Sequence, residues 1–350
     1  MKKELIILCL FLAVAAFAFG KSDFQVTIQE NVINSILPQV LGQQGIASPC
    51  LQFCQGGSFV FTCQYWYKIV FYKWRPVEIH GHVGVTPQGD VDIALTEGYA
   101  TYMDVDISRW LPDLMAQAVC NINSSNGNPE YKVGAEYVCN GGLGAVRLKL
   151  SSKVFLDGME NVILKNIAVG DGYLTLASTN NIVPNNQGEV QGYVGMDIVL
   201  AAIKKFAGKV DNGDDNFSIN DVGLNLGNGN AALTFDVNDN GQGVKFVVNT
   251  GIEGQNVNLV KLIIKSISIV AGSADTDGHK LLEKVVKVIN QNLQKFNITT
   301  VSGLMQLDYQ AQKSISFNID FNCIMRLKVT PQIVNVNLQA GYVGATAMVN

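Results

Sequence analysis

The chain has 350 residues and a formal net charge of −4, with 48% hydrophobic but only 15% charged residues. Charged content so far below the roughly 25% usual for soluble domains leaves a large apolar surface to bury, and the acidic balance excludes a phosphate-tracking, nucleic-acid-binding surface. Beyond the first twenty residues no apolar run approaches the about 18 residues of a membrane-spanning helix.

The N-terminus carries an export signature. Lys2 and Lys3 precede the apolar run LIILCLFLAVAAF, and small residues follow at Ala18 and Gly20, so cleavage before Lys21 is expected. The destination is periplasmic or extracellular. Six cysteines then remain (Cys50, Cys54, Cys63, Cys120, Cys139 and Cys323), and an even number in an exported chain predicts disulfides. Cys120 and Cys139 flank the polar loop NINSSNGNPEY and form the expected local bridge; the remaining pairing stays open.

Four segments have helical periodicity. The first is 28–41, with Ile33, Ile36 and Leu37 on one face; Thr27 and Glu30 make a capping box before it, and Pro38 bends or ends it. The second is 107–119. The third, 195–207, aligns Ile198, Ile203 and Phe206. The fourth, 277–296, carries the clearest stripe, which includes Leu282, Val285, Ile289 and Leu293. Between the helices the period changes to two. VEIHGHVGV and VDIALTEGYATY flank a Pro87–Gly89 turn, and VILKNIAVG and YLTLAST flank Asp171–Gly172. FSINDVGLNL, AALTFDVND and VKFVVNTGI are joined at Gly229 and Asn240–Gly241, and four further strands end the chain. Short polar turns favour antiparallel meanders, so the expected class is α+β: long, strongly curved antiparallel sheets on amphipathic helices. Corresponding helices start about 170 residues apart, which suggests a duplicated helix–strands–helix–strands unit with halves 21–190 and 191–350.

The post-signal segment DFQVTIQENVINSILPQVL, together with ENVILKNIAVGDGYLTLAS and NLVKLIIKSISIVAG, resembles the tubular lipid-binding superfamily, which includes the bactericidal/permeability-increasing-like proteins. The resemblance implies a bent sheet around a long helix and an apolar tube for acyl chains. It carries no ligand-contact residue over. On periodicity alone, the lining candidates are Ile33, Ile36, Leu37, Ile198, Ile203, Phe206, Leu282, Val285, Ile289 and Leu293. The cysteine-rich stretch PCLQFCQGGSFVFTCQYWYKIVFYKW departs from that superfamily's pattern.

Chemical motifs are few. His80 and His82 alternate onto one strand face without a third ligand nearby, and DNGDDNFSIND lacks the acid that would close a calcium loop, so no metal is expected. No G-x-S-x-G elbow, H-E-x-x-H pair, P-loop or nucleotide-binding glycine pattern occurs, and neither catalytic residue nor cofactor is assigned. Tyr65, Trp66, Tyr67, Phe71, Tyr72 and Trp74, with Lys68, Lys73 and Arg75, form an aromatic patch suited to a membrane surface, a protein partner or a carbohydrate. The expected function is non-enzymatic binding of lipid or another apolar small molecule. The rivals are a structural or adhesive surface protein with a filled core, and an extracytoplasmic hydrolase without a legible motif.

Overall fold

The computed structural model describes residues 24–41, 46–68, 72–102, 105–106, 113, 116, 119–120, 134–138, 144–149, 163–170, 172–179, 189–207, 216–252, 259–272, 276–295, 305–310, 313–319, 331–339 and 341–349. They form mostly antiparallel strands with few helices, in two compact units that meet in sequence between Gln191 and Gly192.

The first unit opens with β1 (Phe24–Gln29) and α1 (Glu30–Leu41), followed by β2 (Ile46–Phe53), β3 (Ser58–Lys68), β4 (Tyr72–Val85), β5 (Val91–Tyr102) and β6 (Val105–Asp106). Next come β7 (Gly134–Val138), β8 (Ala145–Lys149), β9 (Asn166–Gly170) and β10 (Tyr173–Ala177). One sheet runs β2–β3–β4–β5–β8–β7, with β6 on β5, and β1 pairs antiparallel with β10, which pairs with β9.

Two expectations change here. Thr27 does not cap a helix: it lies in β1, and its hydroxyl meets that of Thr175 at 3.0 Å. Glu30 instead accepts the backbone N–H of Phe53 at 2.6 Å. The strand wins because both faces of β1 are buried, which rewards an extended Val-Thr-Ile run more than a local cap does. Pro38 lies inside α1, which continues to Leu41.

The free edge of β2 is occupied by α1. The amide of Asn34 donates to Leu51 O at 2.8 Å and accepts from Leu51 N at 2.7 Å, as a neighbouring strand would. Together with Glu30 on Phe53, this side-chain pairing closes an edge that would otherwise offer its backbone to another chain. The second expected helix, 107–119, lies almost wholly outside the described residues. Val119, at its end, packs on Val146.

After β11 (Val190–Gly195), the second unit contains α2 (Met196–Phe206), β12 (Phe217–Gly227), β13 (Asn230–Asp239), β14 (Gln242–Ile252), β15 (Leu259–Ala271) and α3 (Gly278–Lys295). It ends with β16 (Met305–Gln310), β17 (Ser314–Ile319), β18 (Pro331–Gln339) and β19 (Tyr342–Val349). The sheet order is β12–β13–β14–β15–β17–β16, all antiparallel, and β18 and β19 form a hairpin. The β13–β14 turn has positive φ at both Asn240 (54°) and Gly241 (85°), the geometry that makes Asn-Gly a hairpin signal.

Bulges keep the inner row apolar. In β12 the extra residue Asn220 lets Phe217 and Ile219 share a face with Val222 and Leu224. In β15, extra residues at Lys265 and Val270 place Ile264, Ile267 and Ile269 opposite Thr250, Val248 and Phe246. Each bulge also bends and twists its strand. The core that results packs Phe217, Val222, Leu233, Phe235, Val237, Val244, Phe246 and Val248 against Leu281, Leu282, Val285, Val286, Val288 and Ile289 of α3.

Candidate functional site

Two places combine unusual surface with defined geometry, and each is contained in one unit.

The first is the helix-facing side of the second unit. Leu282 and Val285 have no exposure, and Ile289 is buried beside them. Ile198 of α2 is fully buried, while Ile203 is half-buried and packs on the same core. Around this core Leu200, Leu224, Ile264, Ile267 and Ile269 are also only partly covered. Polar pairs accompany it, one of them through Tyr309, which packs on the same core. Lys284 Nζ is 2.8 Å from Asp239 Oδ1 and 5.6 Å from the Phe217 ring centroid, and His279 Nδ1 is 2.9 Å from Tyr309 Oη. Lys204 Nζ donates to Asp221 Oδ1 at 2.8 Å and holds that exposed carboxyl below the usual carboxylate range. The arrangement offers apolar contact and exclusion of water. The remaining lining candidates divide by place. Ile33 and Leu37 are buried in the first unit, and the side chains of Ile36, Phe206 and Leu293 lie outside the described residues.

The second place is the outer face of β3, β4 and β5. Alternation turns Trp74, Pro76, Glu78, His80 and His82 to one side of β4, while Arg75, Val77 and Ile79 are buried on the other. Arg75 therefore does not join the exposed cations expected of the aromatic patch. Trp66 and Trp74 are cross-strand partners with ring centroids 5.2 Å apart, and they remain 43% and 45% exposed. The side chains of Tyr67, Phe71 and Tyr72 lie outside the described residues.

Further along this face, Glu78 Oε1 sits 2.6 Å from His80 Nε2, and the Tyr99 hydroxyl donates to Glu97 Oε2 at 2.9 Å. The His80 and Tyr99 rings meet edge to face at 5.7 Å. The hydrogen bond to Glu97, and then that residue's charge, raise the Tyr99 phenol above its ordinary value. A cleft of about 290 Å³ opens here, lined among others by Ser48, Thr62, Cys63, Gln64, Glu78 and Tyr99. Sequence reasoning missed this grouping. Its only local signal is the alternation in EIHGH and TEGY, and the register Glu78↔Tyr99 that joins them is a tertiary fact.

The cysteines depart from expectation. Cys50, Cys54, Cys63 and Cys120 carry free thiols, and no disulfide joins them; Cys139 and Cys323 lie outside the described residues. Strand register gives the reason for Cys50 and Cys63. Cys50 is exposed and stands opposite Thr62, on the same face, so Cys63, one residue on, points into the sheet's other side. Burial pushes the Cys63 thiol up to about 11. At pH 8 only about one thiol in a thousand would then be ionised, so iodoacetamide should label exposed Cys50 and leave Cys63 unmodified until urea unfolds the chain. Peptide mapping of the labelled protein checks this, and rapid labelling of Cys63 in the folded state would refute it. Because Cys63 keeps its proton more tightly when folded, stability should fall as pH rises from about 9 towards about 11.

No family model and no curated protein matches the chain. Among solved structures, a crystal structure of lipopolysaccharide binding protein aligns over 93% of this chain and 98% of that chain, with a TM-score of 0.30 and 9% sequence identity. A likeness this slight carries no argument about function.

Proposed function

We propose that this protein is an exported, non-enzymatic binding protein for lipid or another apolar ligand, held between the curved sheet and the helices of its second unit. The observation that supports this reading is the margin of aliphatic side chains around a closed core. Leu224, Ile264, Ile267 and Ile269 on strands, with Leu200 and Ile203 on α2, pack on that core yet stay only half-buried. An aliphatic side chain left partly in water forgoes about 25 cal/mol for each Å² not covered, and an acyl chain laid along the margin would recover it without needing a hydrogen bond. Three bulges in β12 and β15 hold this row on one face. They favour a strand path that bends around α3.

The test has two arms. Protein purified from its own export pathway should release phospholipid or fatty acid at fixed stoichiometry on organic extraction, with the matching mass in native mass spectrometry. The stripped protein should take up a fluorescent fatty acid, and Ile267→Glu should weaken that uptake by about tenfold or more, since a buried charge on the margin opposes apolar contact. A clean apo mass together with no uptake would sink the proposal and leave a filled core, as a structural or adhesive protein would have.

A further inference from the structure

Two bulges shape the outer face of β2–β5. Ala47 pairs with Gln64 and Cys50 with Thr62, so Ser48 and Pro49 share the position opposite Cys63. On β5, Glu97 pairs with His80 but Leu95 with Gly81, which leaves Thr96 as an extra residue. Without it, alternation from buried Leu95 would turn Glu97 and Tyr99 inward; with it, both are exposed. The other bulge holds a strained residue. Ser48 has φ 49°, left-handed backbone that serine rarely adopts, and the following Pro49 restricts it further. Asn240, the other non-glycine residue with positive φ among those described, serves a hairpin turn. Ser48 serves none: it lies within β2, exposed, and lines the cleft of about 290 Å³. Strain kept beside a cleft of that size points to a ligand.

The lining residues carry hydroxyls (Ser48, Thr62), an amide (Gln64) and a carboxylate (Glu78), so donors and acceptors lie side by side. An aromatic plane stands beside them. Tyr99 is 52% exposed, although His80 braces its ring edge to face and Glu97 accepts from its hydroxyl. Trp74 continues the face one same-side step beyond Pro76, about 7 Å along β4, with Trp66 packed on it. A sugar matches this combination, because its ring has hydroxyls at the rim and C–H faces that pack on aromatic planes. An acyl chain would leave the amide and carboxylate unanswered, and a bare cation would leave the donors idle. Glu78 and Glu97 stand at the site and none of the lining residues is cationic, so acidic glycans are repelled.

We propose that the cleft and the tryptophan pair form a binding face for a neutral saccharide. Tyr99 stacks on a sugar ring, Ser48, Thr62, Gln64 and Glu78 bond to its hydroxyls, and Trp74 with Trp66 receives the chain beyond the cleft. The inference does not depend on the apolar-ligand reading, which concerns the other unit.

The experiment is electrophoresis of the full protein in native gels cast with laminarin, galactomannan or dextran, which are neutral, or with alginate, which is acidic. At least one neutral polysaccharide should retard the protein, and alginate should not. The matching oligosaccharide should shift the Trp emission, since Trp66 and Trp74 are two of the three tryptophans in the chain. It should also slow iodoacetamide labelling of exposed Cys50, which stands opposite Thr62. Tyr99→Ala should weaken retention by about tenfold or more. Ser48→Gly should weaken it severalfold yet raise the urea midpoint, because glycine relieves the left-handed backbone while removing the hydroxyl. Migration unchanged by every neutral polysaccharide would overturn the proposal, as would retardation by alginate alone or retention that Tyr99→Ala leaves intact. Trp emission that responds to tetramethylammonium but not to the oligosaccharide would reveal a cation site in its place. Should a variant misfold, the unmodified protein decides: Cys50 labelling unaffected by saturating oligosaccharide refutes the site.

Discussion

Phe246→Ala should cost the second unit about 3–5 kcal/mol, the range for removing a fully enclosed aromatic ring. Phe246 has no solvent exposure and lies at the crossing of three interactions. Its ring sits 5.3 Å from that of Phe235 across the β13–β14 ladder, it stands opposite Ile269 of β15, and it belongs to the core packed on α3. Alanine would remove the ring's apolar area, leave a cavity that the sheet can only partly collapse around, and break an aromatic pair worth about 0.5–1.5 kcal/mol beyond its area. Intrinsic tryptophan fluorescence is the wrong probe, because all three tryptophans, Trp66, Trp74 and Trp110, precede the second unit. Hydrogen exchange of the β13 and β14 amides reads the change directly, as protection lost in proportion to stability. Protection that stayed within about twofold of wild type would mean that the ring does not hold the sheet on the helix.

The same core shows how much the sequence reveals and where it stops. Asn240–Gly241 and Asp171–Gly172 announce hairpins because a positive φ, as at Asn240, Gly241 and Gly172, is cheap for so few residue types. The α3 stripe is legible because an eighteen-residue helix repeats its apolar face several times. The bulges leave a fainter trace. In LIIKSISI the alternation slips by one at Lys265, and that slip marks the extra residue that returns Ile267 to the face of Ile264. β1 could not be found this way. Thr27-Ile-Gln-Glu30 satisfies the pattern of a helix cap, and what overrides it is pairing with Thr175, 148 residues further on. The cleft near Tyr99 depends in the same way on the register of β4 against β5. The cysteine count misled for a related reason. An even count of cysteines promises pairs only where the fold turns them to one face, and β2 and β3 place Cys50 and Cys63 on opposite faces.

Gly81→Val should destabilise the first unit by about 3 kcal/mol. A Cβ at this position would lie 2.5 Å from the carbonyl oxygen of Ala94 and 2.7 Å from Cζ of Phe59. The first contact is with backbone, so no rotamer change relieves it. The second is with a buried ring that lies over the glycine from the paired position on β3, where the missing side chain leaves room for it. Gly81 also marks the point where β4 and β5 shift register, so the strands are held there by a bulge as well as by the ladder. A branched side chain would have to push β4 off β5, displace Phe59, or both. Urea unfolding followed by Trp66 and Trp74, which share the β3–β4 hairpin, should show the midpoint lowered by about 1–3 M. Phe59→Ala in the same chain should make the valine less costly than in wild type, because one of its two collisions is then gone; the carbonyl of Ala94 should keep the relief incomplete. If Gly81→Val alone moved the midpoint by less than the error of the fit, the close approach of β4, β5 and the Phe59 ring would be wrong. The outer face that carries Glu78, Tyr99 and the tryptophan pair would then lose the rigid backing that fixes its geometry.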